Sequence, residues 1–504
     1  MERIALQLQK RLVNLNGGDI VSILSVIVLI STVLFSFLHA VWNPYWTDGD
    51  ELHYMLMTQS IILDGDLNMG NNYVQQDYLE HHGTPIEGTH TVRSPVDGSL
   101  RSWHEPGVSI LMVPGYMLGG MTGGRVFLWL INTISIMTLY YIVAREIFEV
   151  DFATTCYSLA IIVISFPILV YSQYGYADMI TGVLWLLISV LGYFIFVNYR
   201  DTSKIAVYSI AASSIAGIGI FFHQKMFIAY ALTLLSIAAV LLVKYYKMDI
   251  LKCLRDSNVY RLGIILLTPF LLFVAAKSIL MYRWFGSFSP NIAYDLAVVE
   301  FGLELEADII NNFLGILFDS GKGIFIFTPL LLVVASYLLW LFMNKVYVSL
   351  IFIVPPLLYV LIQTLFPVWF SWGPPNRYFI IPLLLFLSAV PVLIDKLFKT
   401  TLGQIVLCVT FAVSAFISFS VFFLLNGGYP SYFAYNKVYE LYADFVPFLP
   451  DTMPLYIDLF NEVNLWQYTK AVIVLLFIIL LNVYLGGFYP RIWNKIKPAE
   501  SMNT

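Results

Sequence analysis

The sequence predicts an all-α polytopic membrane protein of about twelve transmembrane helices, with interfacial helices in its first outward-facing loop. Three observations predict it: a composition too apolar for water, a dozen apolar runs of spanning length, and a one-sided distribution of lysine and arginine. Of 504 residues, 59% are hydrophobic and 12% charged, and the mean hydropathy is +0.79. A water-soluble domain must cover its surface with polar groups, so a chain with this little charge has to be solvated by lipid. Aromatic residues make up 16%, as expected where Trp and Tyr sit at both headgroup levels. Cys156 and Cys408 fall in apolar spans and Cys253 in a basic loop, which argues against a disulfide framework. No cleavage site follows the first apolar run, so that run reads as a retained helix rather than a signal peptide.

Spanning the bilayer takes roughly 20 mostly apolar residues. Such runs lie near 20–41, 123–144, 152–171, 178–197, 205–222, 226–243, 262–282, 323–343, 346–366, 378–395, 402–425 and 469–487. A further stretch, 107–120, is short and contains Pro114 and Gly115; it reads as a re-entrant or interfacial piece. With the N-terminus in the cytoplasm, the inner segments collect 17 of the 27 lysines and arginines but 10 of the 32 acids. The positive-inside rule therefore puts both termini in the cytoplasm, in agreement with an even number of crossings. Residues 1–487 form one membrane domain and 488–504 a cytoplasmic tail. The long polar loops 42–122, 283–322 and 426–468 all face outward, so a site has to be built from loops against helix ends.

The first outer loop opens with Trp46-Thr47-Asp48-Gly49-Asp50-Glu51-Leu52-His53-Tyr54. Ionisable groups this dense, directly beyond a spanning helix, are costly unless they face water or a ligand. Leu52, Met55, Leu56, Ile62 and Leu63 then recur at helical spacing, with Glu51, His53 and Ser60 off the stripe, which predicts a short helix lying in the interface. Asp50 and Glu51 stand at its N-terminal end, where the dipole favours a carboxylate, and an ionised carboxylate at headgroup level can act as a general base. The competing reading makes Asp48 or Asp50 a helix cap. Asp64, Asp66 and their turn-rich surroundings match no specific metal-ligand spacing and read as a solvated loop. His104 and Glu105, ahead of Pro106-Gly107, are candidates for orienting a polar headgroup, or simply precede a proline-started helix.

Asp178, in the turn before the fourth span, is either a cap or a second site carboxylate. His223 and Lys225 stand in a turn of only a few residues, where Lys225 either snorkels or meets a lipid phosphate. Lys277 is expected within snorkelling reach of the outer surface. Arg377 and Tyr378 follow an aromatic stretch from Trp369 and suit sugar stacking and phosphate pairing, or an aromatic belt.

Taken in order, these residues resemble the GT-C superfamily of membrane glycosyltransferases, in particular protein O-mannosyltransferases and lipid A aminoarabinose transferases. Asp50-Glu51-Leu52-His53-Tyr54 is similar to the Asp-Glu-x-(Arg/His)-Tyr signature, and His104-Glu105-Pro106-Gly107 to a (His/Lys)-Pro-Pro-Leu segment, with Glu105 and Gly107 departing from it. Asp178, Lys225, Phe285-Gly286-Ser287 and Arg377-Tyr378 match later positions, and the resemblance covers residues 20 to about 395. It implies inverting transfer of a sugar from a polyprenyl-phosphate donor to a glycan, lipid or protein acceptor at the outer face of a plasma membrane. Asp50 would be the base, Glu51 and Asp178 would join it in the catalytic group, and Lys225 would face the donor phosphate. The resemblance likewise implies substrate-binding roles for His53, Tyr54, His104, Glu105, His223, Arg377 and Tyr378. A divalent metal is allowed by the resemblance and not required; no ligand set is assigned to it. Nothing points to nucleic acid. A lipid-linked sugar transporter or flippase is the rival class, and a non-catalytic relative a third. Transporters place ionisable groups near the bilayer midplane on broken, repeated helices, whereas here the polar groups crowd one side.

Overall fold

The computed structural model describes residues 17–42, 49–86, 88–246, 255–301, 309–319, 323–365, 377–424 and 465–485. The expectations for Trp46 to Asp48, for the aromatic stretch from Trp369, for Cys253 and for most of 426–468 lie outside these residues. All twelve expected spans contain helix. The first is α1 (Gly17–Trp42), followed in the first loop by α2 (Asp50–Leu63), α3 (Gly70–Val74) and α4 (Leu79–His82). A two-stranded hairpin, β1 (Thr91–Arg93) and β2 (Leu100–Ser102), is antiparallel with Val92 opposite Arg101. Then come α5 (Gly107–Ile142), α6 (Phe152–Ile164), α7 (Phe166–Tyr171), α8 (Ala177–Val197), α9 (Thr202–Gly219), α10 (Met226–Tyr246) and α11 (Ser257–Phe285). After the short α12 (Ile292–Phe301), α13 (Ile309–Phe318) and α14 (Ile324–Phe327), the chain continues through α15 (Leu330–Asn344), α16 (Val346–Phe352), α17 (Val354–Gln363) and α18 (Ile380–Phe386). It closes with α19 (Val390–Leu397), α20 (Thr401–Leu424) and α21 (Leu465–Leu485).

Among the described residues, eight helices are long and apolar enough to cross a bilayer, and three shorter apolar helices accompany them. Rows of large apolar side chains face outward on them, including Ile23, Leu24, Ile27 and Ile30 on α1 and Leu476, Phe477 and Leu480 on α21. That surface suits hydrocarbon and not water. Apart from the one hairpin, the described regular structure is helical, and the chain is a multi-pass membrane protein.

The breaks have local causes. Between α6 and α7, Ser165 is extended and Pro167 follows, which removes a helical hydrogen bond. Inside α5 the chain leaves helical geometry at Gly119 and Gly120. The two limbs double back so closely that a Cβ on Gly115 would lie 2.4 Å from the Gly123 carbonyl oxygen; only glycine fits such an approach. The expected re-entrant piece 107–120 is therefore the short limb of a helical hairpin.

The packing centre is α8, which contacts α5, α9, α10 and α18. Its fully buried Trp185 donates from Nε1 to Thr233 Oγ1 at 2.5 Å, and on α5 the Tyr140 hydroxyl donates to the Leu384 carbonyl at 2.6 Å. Polar groups in this interior are thus tied between helices. Helix α2 packs on α5, and every residue from Glu51 to Ser60 is buried. The expected half-exposed stripe is instead enclosed by protein on both faces, because the limb 107–118 and α3 cover the side that lipid or water was expected to cover.

Candidate functional site

The helix α2 starts abruptly. Gly49 holds φ 55° and ψ −136° at its N-cap position, with no side-chain cap, so Asp50 is the first residue of the helix and not its cap. The turn releases Asp50 and Glu51 in different directions. Glu51 is fully buried and accepts from Arg125 Nε at 3.0 Å, Arg125 Nη2 at 2.7 Å and the Gly175 N–H at 2.7 Å. A bidentate guanidinium plus a backbone donor fills three of the roughly four acceptor sites of the carboxylate.

Asp50 stands in more open surroundings. Its Oδ2 accepts from Arg377, and its Oδ1 lies 3.6 Å from His90 Nδ1 and 3.7 Å from His104 Nε2. Burial pushes the Asp50 carboxyl up, but Arg377 and the two histidines outweigh it and hold it well below the usual carboxylate range. Arg377 also donates from Nε to Asp178 Oδ2 at 3.2 Å and stacks over Tyr176 at 4.5 Å. One guanidinium therefore joins two carboxylates that are 128 positions apart in the chain. Asp178 is not a cap: α8 begins after Tyr176 without a side-chain cap, and Asp178 is fully buried with Oδ1 accepting no hydrogen bond. That oxygen lies 4.0 Å from His223 Nε2.

The turn 220–225 brings His223 and Lys225 to the same place. Burial pulls the Lys225 amine down to about 8, with Asp178 opposing and Arg377 adding to the fall. Burial, then Lys225 and Arg377, hold His223 far below its usual value, so it is a neutral imidazole near pH 7. The Gly107 N–H donates to the Phe221 carbonyl at 2.8 Å, which fastens the segment 104–107 against this turn. Glu105 accepts from Lys277 Nζ at 2.5 Å, and burial raises its carboxyl against the pull of that lysine. Lys277 also donates to the Ile220 carbonyl at 3.3 Å. Lys277 does not snorkel: it is 1% exposed, because Glu105 meets it inside the protein.

The histidines come together through the hairpin. His90 precedes β1 and His104 follows β2, and the pairing register sets His90 Nδ1 2.9 Å from His104 Nε2. His53, from α2, stacks on His90 with ring centroids 3.8 Å apart, and its Nδ1 meets the Tyr73 hydroxyl at 2.6 Å. Tyr54 is buried beside His104, centroids 5.1 Å apart. Burial lowers both His90 and His104, the latter to about 3, against the pull of Asp50.

Of the residues expected from sequence, Asp50, His53, Tyr54, His104, Asp178, His223, Lys225 and Arg377 thus gather at one end of the bundle. Glu51 faces away into its own pair, and Glu105 is tied to Lys277. Tyr378 is in the helical turn beside Arg377, and its side chain lies outside the described residues. Sequence reasoning missed His90 and Arg125. A turn signal at Pro95-Val96-Asp97-Gly98 between Thr91-Val92-Arg93 and Leu100-Arg101-Ser102 would have found the hairpin that carries His90.

No family model and no curated protein matches the chain. Among solved structures, it is similar to ArnT from Cupriavidus metallidurans in the apo state, with a TM-score of 0.49 and 13% identity over 92% of this chain and 76% of that one. The same ArnT bound to undecaprenyl phosphate gives 0.47 and 12% identity over the same shares. The archaeal oligosaccharyltransferase AglB from Archaeoglobus fulgidus, in complex with an inhibitory peptide and a dolichol-phosphate, gives 0.44 and 13% over 89% of this chain and 63% of that one. At such identities and scores these matches transfer no residue role, and the chemistry rests on the geometry above.

Proposed function

We propose that this chain is an inverting glycosyltransferase, moving a sugar from a polyprenyl-phosphate-linked donor to an acceptor on the extracytoplasmic face of a plasma membrane. The observation that carries the reading is the meeting of Asp50 and Asp178 with Arg377, Lys225 and His223 at one end of a lipid-facing bundle. A lipid-phosphate donor keeps its tail in hydrocarbon and its reactive carbon at headgroup level. An enzyme for it needs a cation for the phosphate and a base for the acceptor at the mouth of the bundle.

In this reading the ionised Asp50 takes the proton of an acceptor hydroxyl or amine as that atom attacks the anomeric carbon. The bond from that carbon to the phosphate oxygen breaks, its electron pair leaves with the polyprenyl phosphate, and configuration inverts. Lys225, charged at neutral pH, meets the departing phosphate. Asp178 offers its unbonded Oδ1 to a hydroxyl of sugar or acceptor, and Arg377 holds both carboxylates in register. Tyr54, His53, His104 and His223 wall the site, with Tyr378 a further substrate contact. Glu105 and Glu51 are positioning residues: one clamps the segment 104–107 to α11, the other anchors the first turn of α2. The outward orientation follows from the lysine and arginine distribution, which supports both termini in the cytoplasm.

The test is transfer by the purified protein in detergent or liposomes, offered a panel of polyprenyl-phosphate sugars with lipid, glycan and peptide acceptors. Product from at least one pair, with the anomeric configuration inverted and transfer greatly reduced in Asp50→Asn, is expected. Undiminished transfer by that variant removes Asp50 as the base.

A further inference from the structure

We propose that Asp50 Oδ1, His90 Nδ1 and His104 Nε2 form a binding site for a transition-metal dication, with Zn2+ the ion its donors suit best. The three atoms form a triangle with edges of 2.9, 3.6 and 3.7 Å. The circle through corners with those separations has a radius of about 2.0 Å, so one point lies at Zn–N and Zn–O bonding distance from all three. The two longer edges exceed hydrogen-bond length, yet both imidazoles turn a ring nitrogen toward the same carboxylate oxygen. Ligand atoms around a tetrahedral ion stand apart by this kind of distance.

The donor set narrows the ion. Two imidazole nitrogens and one carboxylate oxygen suit Zn2+, and also Co2+ or Fe2+; Mg2+ and Ca2+ prefer oxygen throughout. The ligands are held from behind. Arg377 occupies Asp50 Oδ2 and leaves Oδ1 for the ion. His90 is stacked on His53 and, with centroids 4.6 Å apart, on Trp103. The His104 ring lies between the Tyr54 and Trp103 rings, with centroids 5.1 and 5.9 Å away. Outer contacts of this kind orient ligands and raise affinity. The side chains retain 18%, 24% and 11% exposure for Asp50, His90 and His104, so a fourth position is open to water or to an acceptor oxygen, as in catalytic zinc sites. Metal binding itself does not depend on the transferase reading; only its use in holding an acceptor beside Asp50 rests on that reading.

The experiment uses the full-length protein without a polyhistidine tag, purified in detergent, stripped with a chelator and returned to trace-metal-free buffer. Zn2+ is titrated against a chromophoric chelator and bound metal counted by mass spectrometry; Co2+ is added separately as a visible-spectrum probe. About one Zn2+ per chain and tetrahedral Co2+ bands are expected. His90→Gln and His104→Gln should each lower affinity by about a hundredfold or more, while His39→Gln, whose ring lies in α1 against Gln173, leaves it unchanged. Gel-filtration profiles of the variants check folding. Absence of stoichiometric Zn2+ in the wild type, or equal binding by folded His90→Gln and His104→Gln, overturns the site in favour of a plain imidazole–imidazole hydrogen bond. Transfer without metal leaves the enzyme reading standing and sinks this one; stoichiometric metal without any transfer does the reverse.

Discussion

Asp50 and Glu51 are neighbours on the same first turn of one helix, yet their surroundings differ in kind. Glu51 points inward, is fully buried and has both oxygens engaged by Arg125 and the Gly175 N–H. Asp50 points toward a partly open cluster, shares Arg377 with Asp178 and leaves Oδ1 near two imidazoles without a hydrogen bond. A carboxylate wholly enclosed by its partners cannot meet a substrate, whereas an ionised one with a free oxygen beside solvent can. Both are carboxylates in the first turn of one helix, but successive positions point to different sides, so the difference comes from what the rest of the chain brings to each side.

The strongest way to break this comparison is to remove one charge at a time. Asp50→Asn should lower transfer by about 10²–10⁴-fold, the range for a lost general base, while lowering the thermal midpoint less than Glu51→Ala does, since Arg377 keeps Asp178. Glu51→Ala should do the opposite. It takes from the buried Arg125 the carboxylate that accepts from its Nε and Nη2, a loss of about 3–5 kcal/mol, seen as a lower midpoint and poor recovery of folded protein. If the two variants fail in the same way, with Asp50→Asn as unstable as Glu51→Ala, the division into a working and a structural carboxylate is wrong.

These two environments were unequally legible. The spans could be read because lipid demands long apolar runs and tolerates few interruptions. The first-loop acids could be read as a site because charge beside hydrocarbon is costly. Glu51's partner could not, since Arg125 lies 74 positions away in an apolar run where it carries no local pattern. Lys277 was expected at the surface for the same reason, its partner Glu105 being 172 positions away. His90 depends on a hairpin register, and short strands inside a loop of an otherwise helical chain have little periodicity to detect. Pairings over such separations are decided by tertiary packing, and the sequence carries them only as residue types waiting for partners.

Lys225 sharpens the working side. Its amine is pulled to about 8 by burial, with Asp178 opposing, so it is mostly protonated at pH 7 and mostly neutral at pH 9. Affinity for a polyprenyl phosphate in the absence of acceptor should therefore be flat below about pH 7 and fall by about tenfold for each unit well above pH 8 until other contacts limit it. Lys225→Met should bind weakly at both ends of that range and lose the pH dependence. Fluorescence or calorimetric titration with the lipid in detergent measures it; a wild-type curve that stays level from pH 7 to 9 would mean that Lys225 is not the phosphate's partner.

The smallest effect tests how the two carboxylates come to diverge at all. Gly49 holds a positive φ immediately before Asp50, a conformation that costs a residue with a Cβ about 1–3 kcal/mol. Gly49→Ala should therefore lose stability in that range, less than Glu51→Ala does. Its effect on transfer should come through geometry: a relaxed turn rotates the start of α2 and draws Asp50 away from Arg377, while Glu51, clamped by three donors, stays where it is. The variant should then keep a near-normal affinity for the lipid phosphate, which depends on Lys225, and lose turnover by a modest factor, of order tenfold. Loss of phosphate affinity together with turnover would show instead that the turn supports the whole cluster, and that Asp50 and Glu51 are not set independently.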